Sequence, residues 1–309
     1  MAVTMKGKDL ISLADLTKEE IEQIFKTTEL LKLQAKMGEF PPILKGKTLG
    51  MIQKNSTRTR VSFEVGMYQL GGYALFLSTN DLQLGRGETI ADTAQVLSRY
   101  VDGIMIRAYN HNDVVELAKY ANVPVINALT DYSHPCQVLA DLFTAYEKKG
   151  NLKGLKLTYV GDGNNMANSL LFGCAKVGMN VTCASPAGYE PAPEVVAKAK
   201  AIAAESGSIV EVSNDPMAAA KDTDVLYTDV WVSMGQEKEQ EQRLRDFKVF
   251  QINSELVAQA KSDVIVMHCL PAVRGLDITD EVMDGPHSVI FDEAENRLHV
   301  QKAIMALLI

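Results

Sequence analysis

The chain has 309 residues, of which 47% are hydrophobic, 6% aromatic and 23% charged, a globular mixture long enough for two domains. No apolar run approaches the roughly 18 residues of a membrane span, and residues 1–10 lack the apolar core of a signal peptide, so a cytoplasmic location is expected. The net charge of −8 and the lack of a basic run disfavour a nucleic-acid or membrane surface.

Thr17 and Glu20 form a capping box, and Ile21, Ile24, Phe25, Thr28 and Leu31 follow at helical spacing. That helix should end near Gly38, before Pro41 and Pro42. Strands are expected at residues 48–53, 73–77, 103–107, 124–127, 156–160, 180–184, 209–212, 225–228 and 264–268. Helical patterns lie between them, as at 113–120, 137–148 and 166–177. This alternation predicts an α/β chain of two doubly wound domains, each around a parallel sheet. The polar, Gly-containing stretch 148–156 is the expected junction. Residues 1–148 would form the first domain and 149–292 the second. The amphipathic segment 293–309, with Val300, Ala303, Ile304 and Leu307 on one face, forms a final helix.

Polar clusters recur where strands should end, which is where open α/β sheets bind ligands. Ser56-Thr57-Arg58-Thr59-Arg60 separates a strand from a helix carrying Phe63, Gly66, Met67 and Leu70. Cap hydroxyls, first-turn N–H groups and two arginines suit a phosphate dianion. An ordinary cap with solvated arginines is the plainer alternative, but Arg60 lines up with the apolar stripe at Phe63 and Met67. Arg297 likewise lies on the buried face of the final helix; either a structural ion pair or a ligand could satisfy it. Gly161-Asp162-Gly163 lacks the third glycine, and Ser185-Pro186 stands where an acidic ribose ligand belongs, so a dinucleotide is disfavoured. Asn164 and Asn165 suit a small polar ligand better.

The cysteines, Cys136, Cys174, Cys183 and Cys269, contain no C-x-x-C pair and read as reduced thiols, with Cys174 and Cys183 as core filler. His134, Cys136, His268 and Cys269 do not have zinc-site spacing. A Cys–His nucleophile is conceivable, but no residue orients such a pair.

Taken together, the clusters resemble the aspartate/ornithine carbamoyltransferase family over essentially the whole chain. Ser56–Arg60 resembles its carbamoyl-phosphate signature and His134-Pro135-x-Gln137, with Cys136 at the variable position, its carbonyl-polarising motif. Asp229-Val230-Trp231-Val232-Ser233-Met234-Gly235, His268-Cys269-Leu270-Pro271 and Asp292-x-Ala294-Glu295-Asn296-Arg297 resemble the ornithine branch. The resemblance implies carbamoyl transfer from carbamoyl phosphate to the ornithine δ-amine by direct attack through a tetrahedral intermediate, with no cofactor or metal. It implies that Ser56, Thr57, Arg58, Thr59 and Gln83 (from a neighbouring subunit) hold the phosphate. Arg107, His134 and Gln137 would polarise the carbamoyl group, with Cys269, Leu270 and Arg297 facing the same ligand. Asn165, Asp229, Ser233 and Met234 would hold ornithine, with Cys269 steering its amine. A lid at residues 233–235, a homotrimer or multiple of it, and a final helix packed back on the first domain are also implied. A nucleotide-dependent oxidoreductase and a non-catalytic binding module are the rival classes.

Overall fold

Thr17 caps the helix Lys18–Lys36 as its box predicts: its hydroxyl accepts from the Glu20 N–H, and the Glu20 carboxylate accepts from the Thr17 N–H at 2.8 Å. Ile21, Ile24, Phe25, Thr28 and Leu31 are on its buried face. The computed structural model describes residues 3–53, 56–79, 87–232 and 236–309, so Gln83, Ser233 and Met234 lie outside the described residues. The chain divides into a first unit, Met1–Leu139 with Asn296–Ile309, and a second, Ala140–Glu295. The boundary falls inside the helices Pro135–Lys149 and Ile290–Leu308.

The first unit holds β1 (Thr48–Gln53), β2 (Tyr73–Ser78), β3 (Gly103–Arg107) and β4 (Val125–Leu129), all parallel, in the order β2-β1-β3-β4. The second holds β5 (Lys156–Val160), β6 (Asn180–Ala184), β7 (Val210–Ser213), β8 (Val225–Thr228) and β9 (Ile265–His268), also parallel, in the order β7-β6-β5-β8-β9. Every expected strand forms. Strand β4 begins one residue later than expected because Pro124 has no N–H to give the ladder.

Both orders reverse direction once, between β1 and β3 and between β5 and β8. In open α/β sheets such a reversal is where ligands bind, because successive crossovers leave to opposite sides. The loops after β1, β3, β5 and β8 carry the Ser56, Arg107, Asn164 and Asp229 clusters.

Ile52, Ile104 and Ile106 pack with Ala94, Val114, Leu117 and Val125 on one face of the first sheet. In the second unit Val160, Leu226 and Val266 anchor a cluster with Trp231, Phe247 and Phe250. The last helix returns to the first unit, where it lies on the helix Thr57–Gln69. A Cβ at Gly66 would stand 2.7 Å from Met305 Cε, and Lys302 donates to Gln69 at 2.8 Å. Among the described residues no helix is long and apolar enough to cross a membrane.

Gly163 is required for a different reason from Gly66. A Cβ there would meet the backbone of Glu190 and Pro191 at 2.3 Å, and backbone cannot swing aside as a methionine tip can. Gly163→Ala is expected to destabilise the protein by about 3 kcal/mol and Gly66→Ala by about 1, measured by denaturant unfolding.

Candidate active site

In the first unit the helix Thr57–Gln69 starts at Ser56, whose backbone is extended but whose hydroxyl makes no capping bond. The cap expected of that side chain is therefore absent, which leaves the serine oxygen clear of the helix's own first-turn N–H groups. Thr59 is buried, while Thr57 is exposed and Arg58 half-buried. Ser62 ties the turn together, its Oγ lying 2.6 Å from the Arg58 carbonyl and 3.1 Å from that of Thr59.

Arg60 does not turn inward as its spacing suggests. It pairs with Glu64 at 2.9 Å and lies 3.8 Å from the centre of the Phe76 ring, exposed at its tip. Its position borders the apolar stripe, and the stem covers apolar surface while the charged end reaches water. The charge of Arg60 is thus committed to Glu64 and Phe76, outside the cluster around His134 that Arg58 joins.

At the end of β3 the register with β4 slips between Ile106 and Arg107. Such a bulge re-aims the side chain that follows it. His134 precedes the helix Pro135–Lys149 and is 5% exposed. Burial, and then the charges of Arg297, Arg107 and Arg58, hold its imidazole well below the ordinary histidine range. At neutral pH it is therefore an uncharged ring among three guanidinium groups, able to donate a hydrogen bond without carrying charge.

Arg297 is 3% exposed. It donates to the Gln137 amide oxygen. Gln301, with its amide oxygen turned toward Arg297, accepts at 2.8 Å from Nη2 and 3.1 Å from Nε. These two neutral amides fix the guanidinium without cancelling its charge, and Gln301 also reaches Ser62. One network therefore joins the Ser56 turn, the His134 helix and the last helix. Cys136 points away, donating to the Asn127 carbonyl at 3.4 Å, and burial pushes its thiol up to about 12, which makes it an inert filler.

In the second unit the capping residue of the helix Asn165–Val177 is Asn164. Its Oδ1 accepts from the Met166 and Ala167 N–H groups at 2.9 and 3.2 Å, and its Nδ2 donates to Asp229 Oδ2 at 3.0 Å. With those N–H groups taken, the turn after β5 cannot seat a diphosphate as a dinucleotide-binding turn does. Asn165, half-buried at the first helical position, is the residue of the pair expected to meet a ligand. Asn164, expected with Asn165 to suit a small polar ligand, spends its amide on the cap and on Asp229; an Asn before a helix is itself a capping signal.

Asp229 is 7% exposed, and its Oδ1 accepts from the Val230 N–H at 2.8 Å and from the Cys269 thiol at 3.0 Å. Burial, then Asp229, pushes that thiol well above its ordinary range. Cys269 is thus a protonated donor rather than a thiolate nucleophile. Asp229, His268 and Cys269 bring three donor atoms within 4.8 Å of one another. The imidazole is nevertheless committed at both nitrogens: Nε2 lies 2.6 Å from Asp277 Oδ2 and Nδ1 accepts from the Leu270 N–H at 2.8 Å. No lone pair on His268 remains for a cation. Leu270 has a left-handed backbone, φ 59°, which turns the chain out of β9.

Arg243, which pattern reading did not single out, is 5% exposed and donates to Asp162 Oδ2 at 2.9 Å and to the Trp231 carbonyl at 3.2 Å. It thereby ties the loop after β5 to the loop after β8. No local motif announces a pair 81 residues apart.

The two α/β units, one with three arginines around His134 and the other with Asn164, Asp229 and Cys269 in contact, correspond to the two domains of a family of carbamoyltransferases. Residues 8–147 match the model of the aspartate/ornithine carbamoyltransferase carbamoyl-P binding domain, and residues 153–308 that of the Asp/Orn binding domain. The chain belongs to the aspartate/ornithine carbamoyltransferase family. It is 61% identical over 308 residues to an ornithine carbamoyltransferase of Thermococcus kodakarensis, covering 99% of this chain and 98% of that relative. It is 58% identical to the anabolic ornithine carbamoyltransferase of Pyrococcus furiosus, again over 99% and 98%. A solved structure of ornithine carbamoyltransferase from Pyrococcus furiosus superposes with a TM-score of 0.96, at 58% identity over 99% of this chain and 98% of that one.

Proposed function

We propose that this protein transfers the carbamoyl group of carbamoyl phosphate to the δ-amine of L-ornithine, giving L-citrulline and phosphate. The observation that carries the reading is His134, uncharged and buried within the field of Arg58, Arg107 and Arg297. Family membership and relatives named for that reaction agree with it.

Ser56, Thr57, Arg58 and Thr59 hold the phosphate, with Gln83 of a neighbouring subunit. Arg107, His134 and Gln137 direct donors at the carbamoyl oxygen, where negative charge grows as the carbon becomes tetrahedral; a preorganised donor of this kind is worth about 3 kcal/mol. Asn165 and Asp229, with Ser233 and Met234, hold the amino acid. The attacking amine has to be neutral, although a free alkylammonium titrates near ~10.4. A dry site lowers that cost. Cys269, a neutral donor to Asp229, steers the amine without competing as a nucleophile. We place the protein in the cytoplasm as a homotrimer or a multiple of one. The anabolic name of the Pyrococcus furiosus relative supports a role in arginine synthesis.

Citrulline formation from carbamoyl phosphate and ornithine tests the reading, run beside aspartate, putrescine and N-acetylornithine. Ornithine is expected to exceed each of the others by at least about two orders of magnitude, since unpaired buried polar groups penalise a wrong acceptor. Equal rates on aspartate would overturn the acceptor assignment.

A further inference from the structure

Behind Cys269 lies a polar cluster that the proposed reaction does not use. Asp141, on the helix Pro135–Lys149, and Glu293, at the start of the last helix, each lie 1% exposed within the second unit and are hydrogen-bonded to one another. Two carboxylates cannot share a hydrogen bond, because each is an acceptor only; one of them must carry a proton. The neighbours decide which. Glu293 Oε1 accepts the Tyr227 hydroxyl at 3.1 Å and Oε2 accepts the His268 N–H at 2.9 Å. Both of its oxygens are met by donors from β8 and β9, which favours charge on Glu293 and the proton on Asp141.

We propose that Asp141 and Glu293 form a positioning couple sharing one proton, with Asp141 as donor and Glu293 as the carboxylate that fixes the end of β9. Glu293 clamps the His268 N–H, the next residue is Cys269, and the Cys269 thiol rests on Asp229. The couple thus sets the height and direction of the thiol and places one negative charge behind it. Burial first, and then the closeness of the two carboxyls, pushes the shared titration well above the ordinary carboxylate range, so the couple as a whole holds on to one proton. The titratable groups that face the couple are Tyr227 from β8, Cys174 from the helix Asn165–Val177 and, beyond His268, Cys269 and Asp229. Linkage fixes the sign of its pH effect. A carboxyl pair that holds its proton more tightly when folded stabilises the protein at low pH, and that stability is lost as pH rises through the folded value.

Asp141→Asn supplies a permanent donor and leaves the net charge of the couple at minus one. It is expected to keep the alkylation rate of Cys269 by iodoacetamide at a fixed alkaline pH within about twofold of wild type. It should also flatten the fall of Tm toward alkaline pH. Adding Glu293→Gln removes the remaining charge, and alkylation of Cys269 should then accelerate about five- to tenfold, because the thiolate is no longer opposed. Peptide mass mapping confirms that the label sits on Cys269. An unchanged Tm slope in Asp141→Asn, or no acceleration in the double variant, would overturn the shared-proton couple. Should the double variant not fold, the Tm slope and alkylation rate of Asp141→Asn decide alone. Alkylation needs no turnover, so failure here is distinguishable from failure of the proposed reaction.

Discussion

Arg58→Ala is expected to lower kcat/KM for carbamoyl phosphate by about a thousandfold, roughly 4 kcal/mol of transition-state stabilisation, while leaving Tm unchanged. Arg58 is half-buried on the first turn of its helix, so its removal opens no core cavity. What is lost is a guanidinium whose charge reaches His134 from the side of the Ser56 turn. Arg58→Lys keeps the charge but not the two-pronged geometry, and should fall between the two. Titration calorimetry with carbamoyl phosphate separates binding from chemistry. Wild-type affinity in Arg58→Ala would falsify the phosphate assignment.

Arg243→Met should have the largest effect on stability, about 3–5 kcal/mol, read as a lower denaturant midpoint at unchanged slope. Asp162 and Arg243 are both nearly fully buried. Burial already raises the Asp162 pKa in spite of Arg243, so the pair only partly offsets its own desolvation. Removing the arginine strands that carboxylate and frees the Trp231 carbonyl. Adding Asp162→Asn removes the stranded charge, and the double variant should recover most of the loss, as a double-mutant cycle will show. Because the pair ties the loops after β5 and β8, the single variant should also raise KM for ornithine more than it lowers kcat.

Much of the fold was legible because strands and helices write their periods locally. The Thr17 box, the nine strands and the helical face at Phe63, Gly66 and Met67 needed no knowledge of distant residues. Strand order is not local, so the two switch points that place the Ser56, Arg107, Asn164 and Asp229 loops could not be read from spacing. Arg60 shows the limit of a face argument: its position borders the stripe, and the ring of Phe76 on β2 decided where its charge went. Arg297 was left open between an ion pair and a ligand; the amides of Gln137 and Gln301 that hold it sit on two separate helices. Asp141 and Glu293 gave no signal at all, since a carboxyl that will be buried looks like any surface acid until its partners are known.

The first unit is discontinuous in sequence, and this has a consequence for how the protein is made. Residues 296–309 reach the ribosome exit only after all of 140–295 has been translated, roughly eight to thirty seconds at about 5–20 residues per second. Until then the surface around Gly66 and Gly103, which the last helix and Ile309 will cover, is bare apolar area on a nascent chain. Arg297 belongs to that same segment, so the cationic ring around His134 cannot close before it emerges. Closure of the ring is thereby deferred until residues 140–295 have been made.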